Sequence, residues 1–404
     1  MIPLSEARQR VLDKCDVLPT VVLPLSEVRG CVTADAVTSP EDVPPLPNTA
    51  VDGYAVRAAD TTGAPVELKV VGLLAAGAPP TTAVGAGEAI RIMTGAPMPD
   101  GADAVVMVED TEAVAGGDIV RIGRAVSGGD AVRAAGSDVH AGEEVFVAGT
   151  VLSAAHVGVL ASIGRTQVRV HPRARVGVLS TGDELVEGGG PLQPGQIRES
   201  NRPMLLGLVD QAGCDAVDLG LVRDDEGAIT AAIEHAVATC DAVVTSGGVS
   251  MGDFDLIKVV LDRLGDMDWM QVAIKPAKPF AFGVLRGPER PVPVFGLPGN
   301  PVSSLVSFEV LARPALRKMM GHSQLDRLQV RAVADEDFRR RPDDKLHLVR
   351  VHGAFADDGR WHVRSTGAQG SHQLAATAGA NGLALVPDGS GVPRGADVDV
   401  LLLT

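Results

Sequence analysis

The chain has 404 residues, 45% of them hydrophobic, enough at ~150 residues per domain for roughly two to four domains. Its 36 basic and 51 acidic residues leave a formal charge of −15, which argues against a general phosphate-backbone binder. Aromatics make up only 3%, too few for stacking bases, so nucleic acid is not expected as a partner.

The N-terminus, MIPLSEARQR, reaches charged residues before an apolar signal-peptide core could form. No apolar run approaches the ~18 residues of a membrane span, so the expectation is a cytoplasmic protein without a membrane partner. Cys15, Cys31, Cys214 and Cys240 lie far apart without a CxxC, as reduced thiols in that compartment would. The nine histidines are scattered with no HExxH, and no zinc site is expected.

Leu4, Val11 and Cys15 fall on one stripe, which predicts a first helix with Ser5 as its cap. From about 21 to 173, short Val-rich runs such as 66–71 and 104–108 predict mostly β-structure in more than one unit. Residues 75–87 read as an ordered turn or loop. Asp52-Gly53, beside the only tyrosine, Tyr54, reads on composition as a type I′ hairpin corner. The stretches at 91–97 and 133–138 are likewise turn-like.

From 174 to 321 strands alternate with helices. Strands are predicted at 175–179, 216–219, 242–244, 269–274, 280–285 and 293–295, and helices at 201–212, 226–239 and 254–264. A long helix follows Asn300, with Leu305, Phe308, Ala312, Leu316 and Met319 on one stripe. This pattern predicts a mostly parallel α/β sheet. Beyond Gly321, the charge run at 335–341 reads as a solvated face, and alternation at 347–351 and 398–403 predicts a small all-β domain.

Ligands of an open α/β sheet bind beyond the carboxyl ends of its strands. Five consecutive strand ends here carry Ser180-Thr181-Gly182-Asp183-Glu184, Arg223-Asp224-Asp225, Thr245-Ser246-Gly247-Gly248 through Asp255, Lys275-Pro276-Ala277-Lys278, and Pro298-Gly299-Asn300-Pro301. Gly247-Gly248 and Pro298-Gly299-Asn300 offer backbone N–H groups to oxyanions, and Asn300 with Pro301 predicts a helix start aimed the same way. Lys275 and Lys278 add point charges. Glu184, Asp224 and Asp255 are hard oxygen ligands suited to Mg²⁺. Taken singly, each feature is more often turn chemistry or surface charge, and Asp183 and Asp253 read as cap or turn residues. Together they are hard to obtain from turns alone. No GxxxxGK[ST], GxGxxG or GxSxG competes.

The segments NTAVDGYAV, RIMTGAPMP, GADAVVMVED, RAAGSD, STGDEL, GQIRESN, SGGVSMGDFD, AIKPAKPFAFG and GLPGNPVSS run in order from 48 to 304. In that order they resemble the molybdopterin molybdenumtransferase family, enzymes that insert molybdate into the pterin cofactor. Weaker likeness continues at 347–350 and 370–374.

The resemblance implies a homodimer of four-domain subunits. A discontinuous connecting domain would span 1–45 and 145–173, a β-rich inserted domain 46–144, an α/β molybdopterin-binding domain 174–326 and a C-terminal β-barrel 327–404. It implies Mg-assisted cleavage of adenylylated molybdopterin with molybdate transfer and AMP release, and an active groove between subunits. Carried over by motif position, the acidic catalytic residues are Asp52, Asp138, Glu184, Asp224 and Asp255, and the anion-binding ones Thr94, Arg133, Lys275, Lys278, Arg350 and Ser371. The adenylyltransferase and apo-molybdoenzymes stand as further partners.

Two departures from the pattern of some relatives thin the positive field: the sparse arginines of 133–138, and Gln271 where some relatives carry a basic residue. Alternative readings are the related molybdopterin adenylyltransferase and a dimeric scaffold whose site has decayed. STGDEL and the flanking β-domains argue against the first, the intact carboxylates and lysines against the second.

Overall fold

A computed structural model describes residues 1–247 and 256–403. The chain divides into two units, one built from 1–21, 30–32 and 170 onward, the other from 22–29 and 33–169. No helix among the described residues is long and apolar enough to cross a membrane. None of the four cysteines forms a disulfide and all are buried, and burial pushes the Cys15 and Cys214 thiols up to about 12.

In the second unit a six-stranded sheet runs in spatial order Ala104–Met107, Gly53–Val56, Glu88–Ile92, Val66–Leu74, Ile119–Ile122, Thr111–Val114. Alternation serves two cores. Tyr54, Val56, Ala104 and Val106 join one, and Ala55, Val105, Ile90 and Ile92 the other. Gly53 is not the hairpin corner its sequence suggests. It opens a strand paired on both sides, where a Cβ would lie 2.0 Å from the Val106 carbonyl oxygen. The glycine answers to a close backbone approach instead.

In the first unit, β1 (Arg175–Thr181), β2 (Asp215–Val222), β3 (Ala242–Ser246), β4 (Gly265–Gln271), β5 (Pro279–Arg286) and β6 (Pro291–Leu297) form one sheet. Their spatial order is β2-β1-β3-β6-β5-β4. The first four are mutually parallel, as expected. β5 runs antiparallel to β6, and β4 antiparallel to β5. Two reversals restore the original direction. So β4 ends at the same edge as the parallel four, and β5, the one reversed strand, begins there.

Val176, Val178 and Val244 pack with Leu205, Val209 and Val302 from the helices Asn201–Gln211 and Pro301–Ser307. Leu179, Val243 and Val294 pack with Ile229, Ile233, Val260 and Leu261 from the helices Glu226–Thr239 and Leu256–Leu264. Burial on both faces is why these strands read as continuous apolar runs. The helix expected from 254 is described only from Leu256; Phe254 lies outside the described residues.

The long helix after Asn300 keeps its expected stripe but is buried almost all round, and it widens into a π turn over Phe308–Ala312. Pro314 supplies a reason, because proline donates no N–H and crowds the carbonyl four residues back. The N-terminal helix Leu4–Asp13 is capped at Pro3, not Ser5, and no side chain caps it. It buries Ala7 and Val11, and Cys15 beyond its end joins the same core.

The C-terminal strands Leu346–Phe355, Trp361–Ser365, Gln329–Ala334, Asp397–Leu402 and Gly382–Val386 close into a five-stranded barrel. Closure leaves no bare edges. Glu309, 4% exposed on the π turn, accepts from Arg327 Nε and Nη2, each at 2.9 Å, just before the barrel begins. Removing one partner of a buried pair strands the other charge. Glu309→Ala should therefore cost roughly 3–5 kcal/mol, read from denaturant midpoints, and a loss below about 1 kcal/mol, the level of an exposed pair, would rule this out.

Candidate functional site

The carboxyl edge of the sheet brings its turns into contact. Val222 pairs with Thr181, Ser180 with Ser246, and Ser246 with Leu297. Gly247 follows with φ +95°, and a Cβ there would sit 3.2 Å from the Thr181 carbonyl oxygen. Both the backbone angle and the space require glycine. A Cβ on Gly299 would in turn lie 3.9 Å from Gly247 Cα, so the ends of β1, β3 and β6 touch.

The Gly247 N–H, expected as an anion donor, instead donates to the Leu297 carbonyl at 3.1 Å and extends the sheet. Gly248 lies outside the described residues. The N–H groups of the exposed Gly299 and Asn300 donate to no described residue. Asn300 is the N-cap and Pro301 the first helical residue, as expected, although the Asn300 side chain caps nothing. Ser371 stands at the same turn, its carbonyl accepting from the Val302 N–H at 3.1 Å.

The acidic loops meet by reciprocal bonds. Asp183 N–H donates to Asp224 Oδ2 at 3.2 Å, and Asp224 N–H to Asp183 Oδ1 at 3.3 Å. The Glu184 carboxylate folds back over Gly182, where a Cβ would meet Oε2 at 2.6 Å. Asp183, read from sequence as a turn residue, is thus the direct mate of Asp224. With Gly182, Glu187 and Arg223 it lines a cleft of about 480 Å³. Asp255 lies outside the described residues. Among the described residues, no three acidic or histidine groups form a metal cage. Magnesium does not need one, because it binds through one or two carboxylates, waters and substrate phosphates. The Asp224 and Glu184 carboxylates fit that mode.

The lysines arrive by the connection from β4 to β5. Ile274–Lys275 pairs in parallel with Leu346–His347, which stitches this connection to the barrel. Buried Ala277 between the lysines takes φ +79°, a strained angle for a residue with a Cβ. Lys275 is exposed and lines a cavity of about 750 Å³ whose far wall is the charge run from Glu336 to Arg341. That run is therefore not merely the solvated face expected. Phe338 and the Arg340 side chain turn inward, Arg340 holding Asp343 at 2.5 Å and Asp388 at 2.7 Å. Lys275, Lys278 and Arg341 have no ion-pair partner among the described residues. His347, bonded to Asp343 at 3.1 Å, is held below its ordinary value by burial, with Arg340 and Lys275 adding to the effect.

Arg350, expected among the anion-binding residues, has an internal duty. It is 1% exposed and donates to Gln369 Oε1, the Gln373 and Ala368 carbonyls and Thr377 Oγ1. It anchors the loop that carries Ser371, and burial lowers its basicity.

In the second unit three motifs gather around Asn48–Thr49. Val132–Arg133 pairs with this strand, Gly95 N–H donates to the Thr49 carbonyl, and Asn48 bridges to Pro97. Arg133 and Asp138 are exposed. Asp52 Oδ1 accepts from Thr94 N–H and Thr94 Oγ1, both at 2.7 Å. These two bonds, the backbone one first, hold its carboxyl below the usual carboxylate range.

Comparison with known proteins identifies the assembly. The MoeA N-terminal region (domain I and II) matches residues 2–164, a probable molybdopterin binding domain 177–318, and the MoeA C-terminal region (domain IV) 331–403. A molybdopterin molybdenumtransferase of Haemophilus influenzae is 38% identical over 93% of this chain and 92% of its own. The chain belongs to the MoeA family. Molybdopterin molybdenumtransferase 2 of Mycobacterium tuberculosis is also 38% identical, over 96% of both chains. The solved molybdopterin biosynthesis moeA protein of Pyrococcus horikoshii OT3 superposes with a TM-score of 0.76 at 30% identity, covering 100% of each chain.

Within this MoeA architecture, residues that the sequence did not single out do much of the positioning. Asn201 and Ser304 hold the Pro298–Asn300 turn, and Arg340 with Asp343 sets the cavity wall. Asn201 closes the GQIRESN motif, the one sequence signal that pointed toward it.

The Asp52–Thr94 bond gives a direct measurement. Thr94→Ala should raise the Asp52 pKa toward the ordinary carboxylate value, seen by NMR titration of the side-chain carboxyl carbon. A lowered carboxyl pKa stabilises the fold above the ordinary value and loses that effect as pH falls through the lowered one. The variant should flatten acid-side stability accordingly. An unchanged titration would refute the bond's role.

Proposed function

We propose that the protein inserts molybdate into adenylylated molybdopterin and releases AMP. The reading rests on one observation: the turns after β1, β3 and β6, the Asp183–Asp224 pair and the lysine connection share a single sheet edge. The names of its MoeA relatives and the full-length match support the same substrate class.

The chemistry needs such an edge. Molybdate and the adenylate ester are both anions, and like unit charges 4 Å apart repel by about 4 kcal/mol in a partly desolvated cleft. The ammonium groups of Lys275 and Lys278 oppose that repulsion, and the Gly299 and Asn300 N–H groups add fixed dipoles. Water attacks the AMP phosphorus, the bond to the pterin phosphate breaks, and AMP leaves. The two dithiolene thiols then bond molybdenum through sulfur and pass their protons to one oxo group, which departs as water. Asp224 and Glu184 would hold Mg²⁺, which supplies charge neutralisation at the phosphoryl oxygens. We assign the protein a homodimeric state, with Asp52 and Asp138 as further catalytic carboxylates.

The decisive assay mixes protein, adenylylated molybdopterin, Mg²⁺ and molybdate, then measures AMP and reconstitution of an apo-molybdoenzyme. AMP release dependent on molybdate is expected, and consumption of ATP with free molybdopterin would indicate the adenylyltransferase instead. Asp255→Asn should slow AMP release on the order of 100-fold at saturating molybdate, and wild-type rates would remove Asp255 from the mechanism. Lys275→Met should raise the molybdate KM about tenfold, and an unchanged KM would place the oxyanion elsewhere.

A further inference from the structure

Asn201 opens the helix Asn201–Gln211 and is only 8% exposed. Its amide nitrogen donates to Ser246 Oγ at 2.7 Å and to the Gly299 carbonyl at 2.7 Å. A carbonyl oxygen can only accept, so the Gly299 contact fixes which end of the amide is nitrogen. Ser246 closes β3, and Gly299 sits in the turn after β6. One side chain from a third element therefore spans two strand ends.

The oxygen of the same amide is buried and has no hydrogen-bond partner among the described residues. A residue that merely filled this space would be apolar and would escape that desolvation cost. What the amide gains is its nitrogen bridge. The next residue, Arg202, pairs with Asp218 on β2 and with Glu187. On the other side of the turn, Ser304 Oγ donates to the Pro298 carbonyl. The Pro298–Asn300 turn thus hangs between two side chains, and Asn201 is the one that reaches β3.

We propose that Asn201 is a positioning residue for the transfer. It sets where the Pro298–Asn300 turn stands relative to β3, and hence where the exposed N–H groups of Gly299 and Asn300 point. The proposal rests on the reading of this edge as the oxyanion site. A loosened turn weakens the hold on the oxyanion and leaves the phosphoryl chemistry largely intact.

The test is steady-state AMP release by the full chain at varied molybdate. Asn201→Asp is nearly isosteric, yet an ionised carboxylate cannot donate to the Gly299 carbonyl. Asn201→Ala removes both bonds. Each should raise the molybdate KM about tenfold, one net hydrogen bond's worth, with kcat changed by less than about threefold. A merely structural defect would lower the active fraction and therefore kcat, with KM unmoved. Because the bridge acts through Ser246, adding Ser246→Ala to Asn201→Ala should raise KM no further. Wild-type KM in folded Asn201→Asp, or additive effects in the double variant, overturns the proposal. Absence of AMP release by the wild-type chain would instead overturn the reading of the site.

Discussion

Strand direction is the constraint on which the rest of this molecule depends. A parallel neighbour needs a crossover of a dozen or more residues, whereas an antiparallel one needs only a short link. The stretch 272–278 is too short for a crossover, so β5 must reverse and must begin where β4 ends. That geometry carries Lys275 and Lys278 to the edge where β1, β2, β3 and β6 finish. Residues from five separate stretches of sequence come to one edge of the sheet because five strands point one way.

The same connection joins the sheet to the barrel. Lys275 is both the end of a β bridge to His347 and a wall of the large cavity. Arg350 holds the loop whose Ser371 carbonyl meets the helix start after Asn300. The barrel therefore reaches the sheet edge through backbone hydrogen bonds, one of them at the buried Val302, and through the loop that the buried Arg350 anchors. Net charge misleads here. A chain of −15 still presents Lys275, Lys278 and Arg341 without ion-pair partners among the described residues, because Arg339 and Arg340 are matched by Asp337, Asp343 and Asp388. The field that steers an anion is that of the cleft, not of the whole surface.

The alternating strand and helix signals of 174–321 were legible because each element buries a regular apolar pattern. The strand ends were legible because glycine, proline and short polar residues mark turns. Other features were not. Asp52-Gly53 has hairpin composition, yet Gly53 answers to the Val106 carbonyl, a neighbour distant in sequence. Arg350 sits in a motif that suggests anion binding, but its guanidinium is enclosed by carbonyls that only the folded barrel supplies. The run 335–341 looks solvated by charge, while strand pairing of Phe338–Arg339 turns alternate side chains inward.

What the sequence determined by itself was the set of elements, their α/β order, the residues at the strand ends and the MoeA likeness. All of these are encoded locally, in periodicity, turn chemistry and motif strings. Only the tertiary structure decided which ends meet, because strand pairing partners and the reversal of β5 are long-range choices. It alone made Asp183 the mate of Asp224, enclosed Arg350, and placed the Asn201 amide between Ser246 and Gly299. Hydrogen bonds between residues tens of positions apart leave no periodic trace in the chain, so folding has to reveal them.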